Sequence, residues 1–465
     1  MACAILRSSI NEEQALQIRS YLCLTPKVMV NKYNRNSLPD PVVFYQYVDQ
    51  TIHLPMSFAK KLLNINNDNN NFAKTTLTFT GNLRDYQVNV EEEAWNQLST
   101  HGSTTLGLYP GFGKTILGAR LASRTQLLTV ILVTNTILLG QWKKTFEDNT
   151  NAKVWIVGEN HPPSQCNVII CMDTRYEHIP IETRNMVGMV IIDEAHLFCT
   201  PTRVGALLAF HPKYVIIESA SLERDDEMES MIYAIAGTHN ILRLSEKPFT
   251  VYKVITNIKP ERTKNRMGDI DYLKLQKTTL FDERRINIII NMVKINLNFK
   301  ILILTSLVDH AMLLHNKLDS LKISCDFLCG TKKGYSDSNV LIGTMSKIGT
   351  GFDPATSCPN YKGSPFDLLF LVSTIKKETM LVQNVGRCFR ADFPTIMHLV
   401  DDDTIYKNHW YRAKKWYGKR NGTVIEYKCA EQPKIEEIEE LAAEQWTKDK
   451  LAEIKTRKLK LNIIS

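Results

Sequence analysis

Short runs of aliphatic and β-branched residues recur along the chain without polar residues alternating among them. Val130–Val133, Val168–Cys171, Met189–Ile192 and Val215–Ile217 form a first set. A strand with one wet face alternates apolar and polar positions. Runs without that alternation predict strands covered on both faces, as in a parallel sheet. Helix-sized segments, Thr115–Ser123 and Leu138–Glu147, lie between them, so a doubly wound α/β domain is expected over 76–258. The polar stretch Lys259–Asp271 separates a second set of runs, Ile301–Leu304, Val340–Ile342, Leu368–Val372 and Met397–Val400. Helical patterns at Phe281–Asn296, Val308–Leu318 and Lys377–Phe389 complete a second α/β domain over 259–429.

The ends read differently. Residues 1–75 carry strand-like runs at Val42–Tyr47 and Thr51–Leu54 and a helical pattern at Ser57–Leu63, and predict a small accessory domain. The Asn-rich stretch Asn64–Asn71 has turn-forming composition and predicts a linker. After Ala430 the pattern predicts a charge-laced helical tail over 430–465, with Ile435–Leu441 its clearest part.

Composition narrows the class. With 44% apolar and 23% charged residues over 465 positions, wholesale disorder and rod-like repeats are excluded. The longest apolar run, Leu127–Gly140, is interrupted by Thr129, Thr134, Asn135 and Thr136, so no membrane span is expected. The first residues lack the basic and apolar regions of a secretory signal. Ten cysteines are scattered without a C-x-x-C pair, which predicts free thiols in an intracellular, reducing compartment rather than a zinc site. The net charge of +8 permits a nucleic-acid partner.

Two local patterns carry chemistry. In Leu108-Tyr109-Pro110-Gly111-Phe112-Gly113-Lys114-Thr115, the glycines let backbone N–H groups turn inward around phosphate oxygens. Pro110, Gly111, Phe112, Gly113, Lys114 and Thr115 are therefore the expected ATP-binding loop, with Lys114 on the β- and γ-phosphates and the Thr115 hydroxyl on Mg²⁺. Leu108 departs from the usual first glycine or alanine, and the competing reading is a Gly-rich turn that binds nothing. About 80 residues on, Val190–Ile192 ends in Asp193-Glu194-Ala195-His196, two carboxylates at the end of a buried strand. Asp193 is expected on Mg²⁺ and Glu194 on the attacking water.

Together these motifs resemble those of superfamily 2 helicases. Leu83-Arg84-Asp85-Tyr86-Gln87 resembles the segment before the phosphate loop, which implies an adenine contact for Gln87. Val133–Trp142 resembles motif Ia, Asp193–His196 is the DEAH form of motif II, and Ser219-Ala220-Ser221 resembles motif III. Leu302–Ser306 resembles motif IV, Gly343–Asp353 motif V, and Gln383-Asn384-Val385-Gly386-Arg387-Cys388-Phe389-Arg390 motif VI. The resemblance implies two tandem RecA-like domains. It adds His196, Gln383, Arg387 and Arg390 to the catalytic group, and Gly351 and Asp353 to the nucleotide-binding one. Arg390 is the expected arginine finger.

Leu222-Glu223-Arg224-Asp225-Asp226 resembles the Arg-Glu-Asp segment of XPB-type DNA helicases. Size and motif I also resemble the transcript-release helicases of large cytoplasmic DNA viruses. That likeness implies an ATP-driven DNA translocase working with a transcription complex, in the host cytoplasm and the virion. RNA as the substrate, and a nucleotide-gated scaffold without turnover, are the alternatives.

For the nucleic-acid face, Thr134, Asn135, Gln141, Trp142, Thr174 and Arg175 are candidates on the first half, and Thr344 and Ser346 on the second. Trp142 reads either as a stacking platform or, more commonly for such a position, as core. Between residues 404 and 434, eight Lys or Arg stand against two Glu. There Lys414, Lys415 and Trp416 read either as backbone binding with base stacking or as snorkelling lysines over an aromatic inner face.

Overall fold

The computed structural model describes residues 1–27, 39–64, 71–159, 162, 165–219, 224, 226–245, 247–349 and 352–428. The chain forms two compact units, Met1–Leu244 and the residues from Ser245 onward. The charged tail, most of the Asn-rich linker, Gly351, and Ala220, Ser221, Leu222, Glu223 and Asp225 lie outside the described residues.

The first unit is built on a seven-stranded sheet. Its order is Ile241–Arg243, Ser103–Leu108, Tyr214–Ser219, Met189–Ile192, Thr129–Val133, Val168–Met172 and Val154–Ile156. Every neighbouring pair is parallel. Successive strand residues point to opposite faces, and both faces are dry. Val130, Leu132, Val190 and Ile192 enter one core cluster, and Ile131, Val133 and Ile191 the other.

The N-terminal residues do not form a separate body. Ala2–Leu6, Thr51–Pro55 and Gln46–Val48 make an antiparallel sheet. Met1, Ile5, Leu54 and Met56 belong to the same core cluster as Val130 and Val215. The strand Ala2–Leu6 and the helix Glu12–Leu22, capped by Asn11, were not legible as elements: the helix buries just Ile18 and Leu22.

The second unit holds another seven-stranded parallel sheet. Its order is Cys325–Leu328, Val340–Thr344, Ile301–Thr305, Leu368–Leu371, Thr395–Val400, Phe249–Ile255 and Gly422–Lys428. Phe249–Ile255, which the expected boundary at 259 assigns to the first half, pairs here with Thr395–Val400 and Gly422–Lys428. Its partners are more than a hundred residues away, and Tyr252 and Lys253 break the aliphatic pattern. The predicted helix over Phe281–Asn296 begins at Glu283, because Asp282 caps it through the N–H groups of Arg284 and Arg285. A buried ion pair, Arg285 Nε to Asp401 Oδ1 at 3.0 Å, ties that helix to the end of the strand Thr395–Val400. Thr256 donates to the same carboxylate at 2.7 Å.

Two buried histidines give this unit a pH dependence. Burial pushes both His310 and His398 down to about 3. Near pH 5 the unfolded chain takes up a proton at each and the folded chain does not, so stability falls as pH drops below about 6.5. Each histidine is expected to cost about 2 kcal/mol at pH 5 relative to pH 8. Thermal melts across that range check this, and a flat or rising profile contradicts it.

Candidate nucleotide site and nucleic-acid interface

The strand Ser103–Leu108 runs directly into the Gly-rich loop, and the helix Lys114–Thr125 leaves it. Gly111 and Gly113 have φ of 89° and 99°, values open to glycine at little cost. A Cβ on Gly113 would also lie 2.3 Å from Gln87 Nε2. The loop is held from outside by aromatic edges. Phe112 is buried, and its ring meets Tyr86 at 5.0 Å and Tyr109 at 5.2 Å, both edge-on. The Phe112 side chain is thus scaffold, and its N–H is engaged within the loop, donating to the Tyr109 carbonyl at 3.2 Å.

Gln87 is buried and engaged with protein groups. Its amide donates to the Phe112 carbonyl at 2.7 Å and accepts from the Arg84 N–H at 2.8 Å. Lys114 Nζ donates back to the Leu108 carbonyl at 3.1 Å. Pro110 and Thr115 are half-buried, Thr115 in the first turn of the helix. The glycine loop, the N-terminus of the helix and a lysine together suit an anion.

Beside that loop lies an acidic cluster. Asp193 and Glu194 follow the strand Met189–Ile192 and are both buried. Asp193 accepts two hydrogen bonds, from the Glu194 N–H to Oδ1 at 2.9 Å and from Trp142 Nε1 to Oδ2 at 2.9 Å. Burial first, and the neighbouring Glu194 second, push its carboxyl up to about 6.

Glu194 sits in left-handed backbone, φ 50° and ψ 48°, a strained setting for a residue with a Cβ. Its Oε2 is buried without a hydrogen-bond donor among the described residues. His196 Nδ1 is 3.4 Å away, but burial pushes that imidazole down to about 4, so it is neutral at pH 7 and pairs with the Ser219 hydroxyl at 2.9 Å.

Glu218, which sequence reasoning did not single out, is fully buried, and neither carboxylate oxygen has a hydrogen-bond partner among the described residues. In the parallel register Ile192 lies opposite Ile217, so Glu218 takes the position beside Asp193. Burial first, then Asp193, raise it well above the usual carboxyl range. Thr115 and Asp193, a hydroxyl and a carboxylate, offer the oxygen donors a hard divalent cation takes and are the residues that would hold Mg²⁺. Arg224 also escaped notice as a brace: it donates to the His196 carbonyl and pairs with Asp226 at 2.6 Å.

In the second unit, the helix Glu378–Val385 and the turn after it carry the arginines. Arg387 is half-buried and donates through Nη1 to the Phe352 carbonyl at 2.7 Å and through Nη2 to the Gly349 carbonyl. Arg390 is exposed and pairs with Asp353 at 2.9 Å. Gln383 is buried in the helix. Arg387 therefore braces the loop that carries motif V, and Arg390 presents its guanidinium to solvent.

The nucleic-acid candidates divide. Thr174, Arg175 and Ser346 are exposed, and Thr134, Asn135 and Gln141 half-buried. The Asn135 side chain caps the helix Thr136–Asn149 by accepting from the Leu138 N–H at 3.0 Å. Thr344 is buried at the end of its strand.

Two tryptophans are corrected. Trp142 is fully buried and bonded to Asp193, so it is no stacking platform. Trp416 is 4% exposed and packs near Phe249 at 6.3 Å. On the helix Thr404–Lys419 the buried residues, Tyr406, Trp410, Ala413 and Trp416 among them, take one face. Lys414 and Lys415 stand exposed on the other with Tyr411.

Comparison with known proteins agrees with this architecture. A family model described as "Type III restriction enzyme, res subunit" matches residues 80–224. "Putative helicase 161L" of Invertebrate iridescent virus 6 is 28% identical over 459 residues, 92% of this chain and 100% of that protein. "Transcript termination protein A18" of Yaba-like disease virus is 23% identical, covering 76% of this chain and 78% of its own. "DNA 3'-5' helicase XPB" of Kineococcus radiotolerans is 28% identical over 166 residues, 33% of this chain and 29% of that one. Among solved structures, S. cerevisiae Dbp5 bound to RNA and ADP BeF3 matches with a TM-score of 0.52 at 14% identity, covering 72% of this chain and 89% of that one. That likeness establishes the tandem RecA-like fold. With phosphate loop, DEAH box and arginine helix on two such sheets, the chain belongs to the superfamily 2 helicases, of the ResIII and XPB-like kind, similar to iridovirus helicases and a poxvirus transcript termination protein.

Proposed function

We propose that the protein is an ATP-dependent motor that moves along DNA during viral transcription. The observation that carries the reading is the acidic cluster set against the phosphate loop: Asp193 held by two donors, and Glu194 with an open carboxylate oxygen. In this reading the Gly111–Thr115 backbone, Lys114 and Mg²⁺ on Thr115 and Asp193 hold the triphosphate, and Gln87 reads the adenine. Glu194 orients the attacking water, and Arg390 serves as the arginine finger. ATP binding and hydrolysis alternate the grip on the strand. The similarity to a transcript termination protein and to an XPB DNA helicase supports DNA and a transcription complex as partners.

ATP-driven displacement of the third strand from a DNA triplex tests the motor. Displacement with ATP, and none with a non-hydrolysable analogue, is expected. Activity confined to RNA duplexes would replace DNA by RNA as the track. Tight ATP binding without turnover on any substrate would leave a nucleotide-gated scaffold.

The exposed lysines of the helix Thr404–Lys419 are assigned to the phosphate backbone. Replacing Lys414 and Lys415 together by alanine is expected to lower the slope of log affinity against log salt by about 1.4 on single strands. Fluorescence anisotropy across salt concentrations measures this. An unchanged slope would leave the two lysines to solvent.

A further inference from the structure

We propose that Trp142 is a positioning residue through which strand binding at the head of the helix Thr136–Asn149 sets the orientation of Asp193. The inference rests on the motor reading above and adds a route by which nucleic acid acts on the nucleotide site. The geometry confines the indole on several sides. Its ring lies near-parallel to Phe146 of the same helix, 6.0 Å between centroids. Its far edge meets Gly118 of the phosphate-loop helix so closely that a Cβ there would fall 2.7 Å from Cη2 and 2.9 Å from Glu218 Oε1. The indole has one polar group, a donor, and it is spent on Asp193 Oδ2 at 2.9 Å.

Asp193 therefore has one donor from its own turn and one from a helix 51 residues away in sequence. The donor from Glu194 moves with the turn that carries both acids, whereas the donor from Trp142 moves with its helix. At the head of that helix Asn135 is the cap, and Thr134 Oγ1 and Gln141 Oε1 are buried without hydrogen-bond partners among the described residues. Gln141 is the residue next to Trp142. A strand that engages this head shifts the helix, and the wedged indole has no slack with which to absorb the shift. Partners that orient a metal's carboxylate ligand act on affinity without touching the ion.

Trp142→Phe keeps the ring and removes the N–H. In the full chain with ADP bound, Mn²⁺ affinity is expected to fall about 10- to 100-fold by electron paramagnetic resonance titration. Single-stranded DNA affinity by anisotropy stays within about twofold, since no strand contact is removed, and DNA stimulation of ATP turnover collapses toward the unstimulated rate. Unchanged Mn²⁺ affinity and unchanged stimulation would reduce Trp142 to packing and overturn the proposal. A wild type that DNA does not stimulate at all would instead overturn the motor reading on which it rests.

Should the variant fail to fold, the wild type decides through the indole N–H signals of its six tryptophans. Substoichiometric Mn²⁺ with ADP is expected to broaden one of them, and DNA is expected to shift that same signal. A broadened signal that DNA leaves in place overturns the proposal.

Discussion

Glu194→Gln is expected to leave ATP bound and to slow its hydrolysis about a thousandfold, the range general-base groups contribute. The geometry separates binding from chemistry. The loop from Gly111 to Lys114 supplies the anion cradle, whereas Glu194 makes no contact that builds it. Its carboxylate is held in place by a left-handed backbone turn, and its Oε2 accepts no hydrogen bond from the described residues. His196 does not neutralise it, because that imidazole stays uncharged at pH 7 and is engaged with Ser219. Glutamine preserves shape and removes the base. Single-turnover hydrolysis beside fluorescent ATP-analogue affinity makes the comparison. Turnover within about tenfold of wild type would remove Glu194 from the chemistry.

Arg390→Ala is expected to lower turnover by about 10³- to 10⁵-fold, the range measured for arginine fingers. Nucleotide affinity of the first unit's loop should change little. The neighbouring Arg387 is predicted to behave differently. Its guanidinium holds the Phe352 and Gly349 carbonyls, so its loss should lower thermal stability as well as turnover. Arg390 has one ion pair, to Asp353, and is otherwise exposed, so Arg390→Ala should melt near the wild-type temperature. Lysine at 390 is not expected to rescue, since a point charge lacks the planar fork that spans two phosphate oxygens. Wild-type turnover in Arg390→Ala, with loss in Arg387→Ala at unchanged stability, would exchange the two roles.

Elements and chemistry differed in how plainly the chain displayed them. The phosphate loop and the acidic box are contiguous, and each is written as one word of sequence next to an unbroken apolar run. The link from Trp142 to Asp193 spans 51 residues and depends on how a helix settles on Gly118. Glu218 became visible through register, which sets it beside Asp193. For Trp416 the signal was present in the spacing. Tyr406, Trp410, Ala413 and Trp416 recur at three to four residues and mark one face, which sends Lys414 and Lys415 to the other. The strands Phe249–Ile255 and Gly422–Lys428 escaped because their partners are remote and their residues mixed, with Lys253, Glu426 and Lys428 among them. The N-terminal sheet escaped as part of the first unit because its few apolar residues complete a core whose other half begins at Leu128.

The most direct measurement is steady-state ATP hydrolysis by the full chain, alone and with single-stranded DNA, duplex DNA or RNA, beside Lys114→Ala and Glu194→Gln. A motor gated by its track should turn over slowly alone and many times faster with DNA, and both substitutions should abolish the stimulated rate. Hydrolysis that no nucleic acid accelerates, or that survives the loss of Lys114 and of Glu194, would contradict the assignment of this site to a nucleic-acid-driven ATPase.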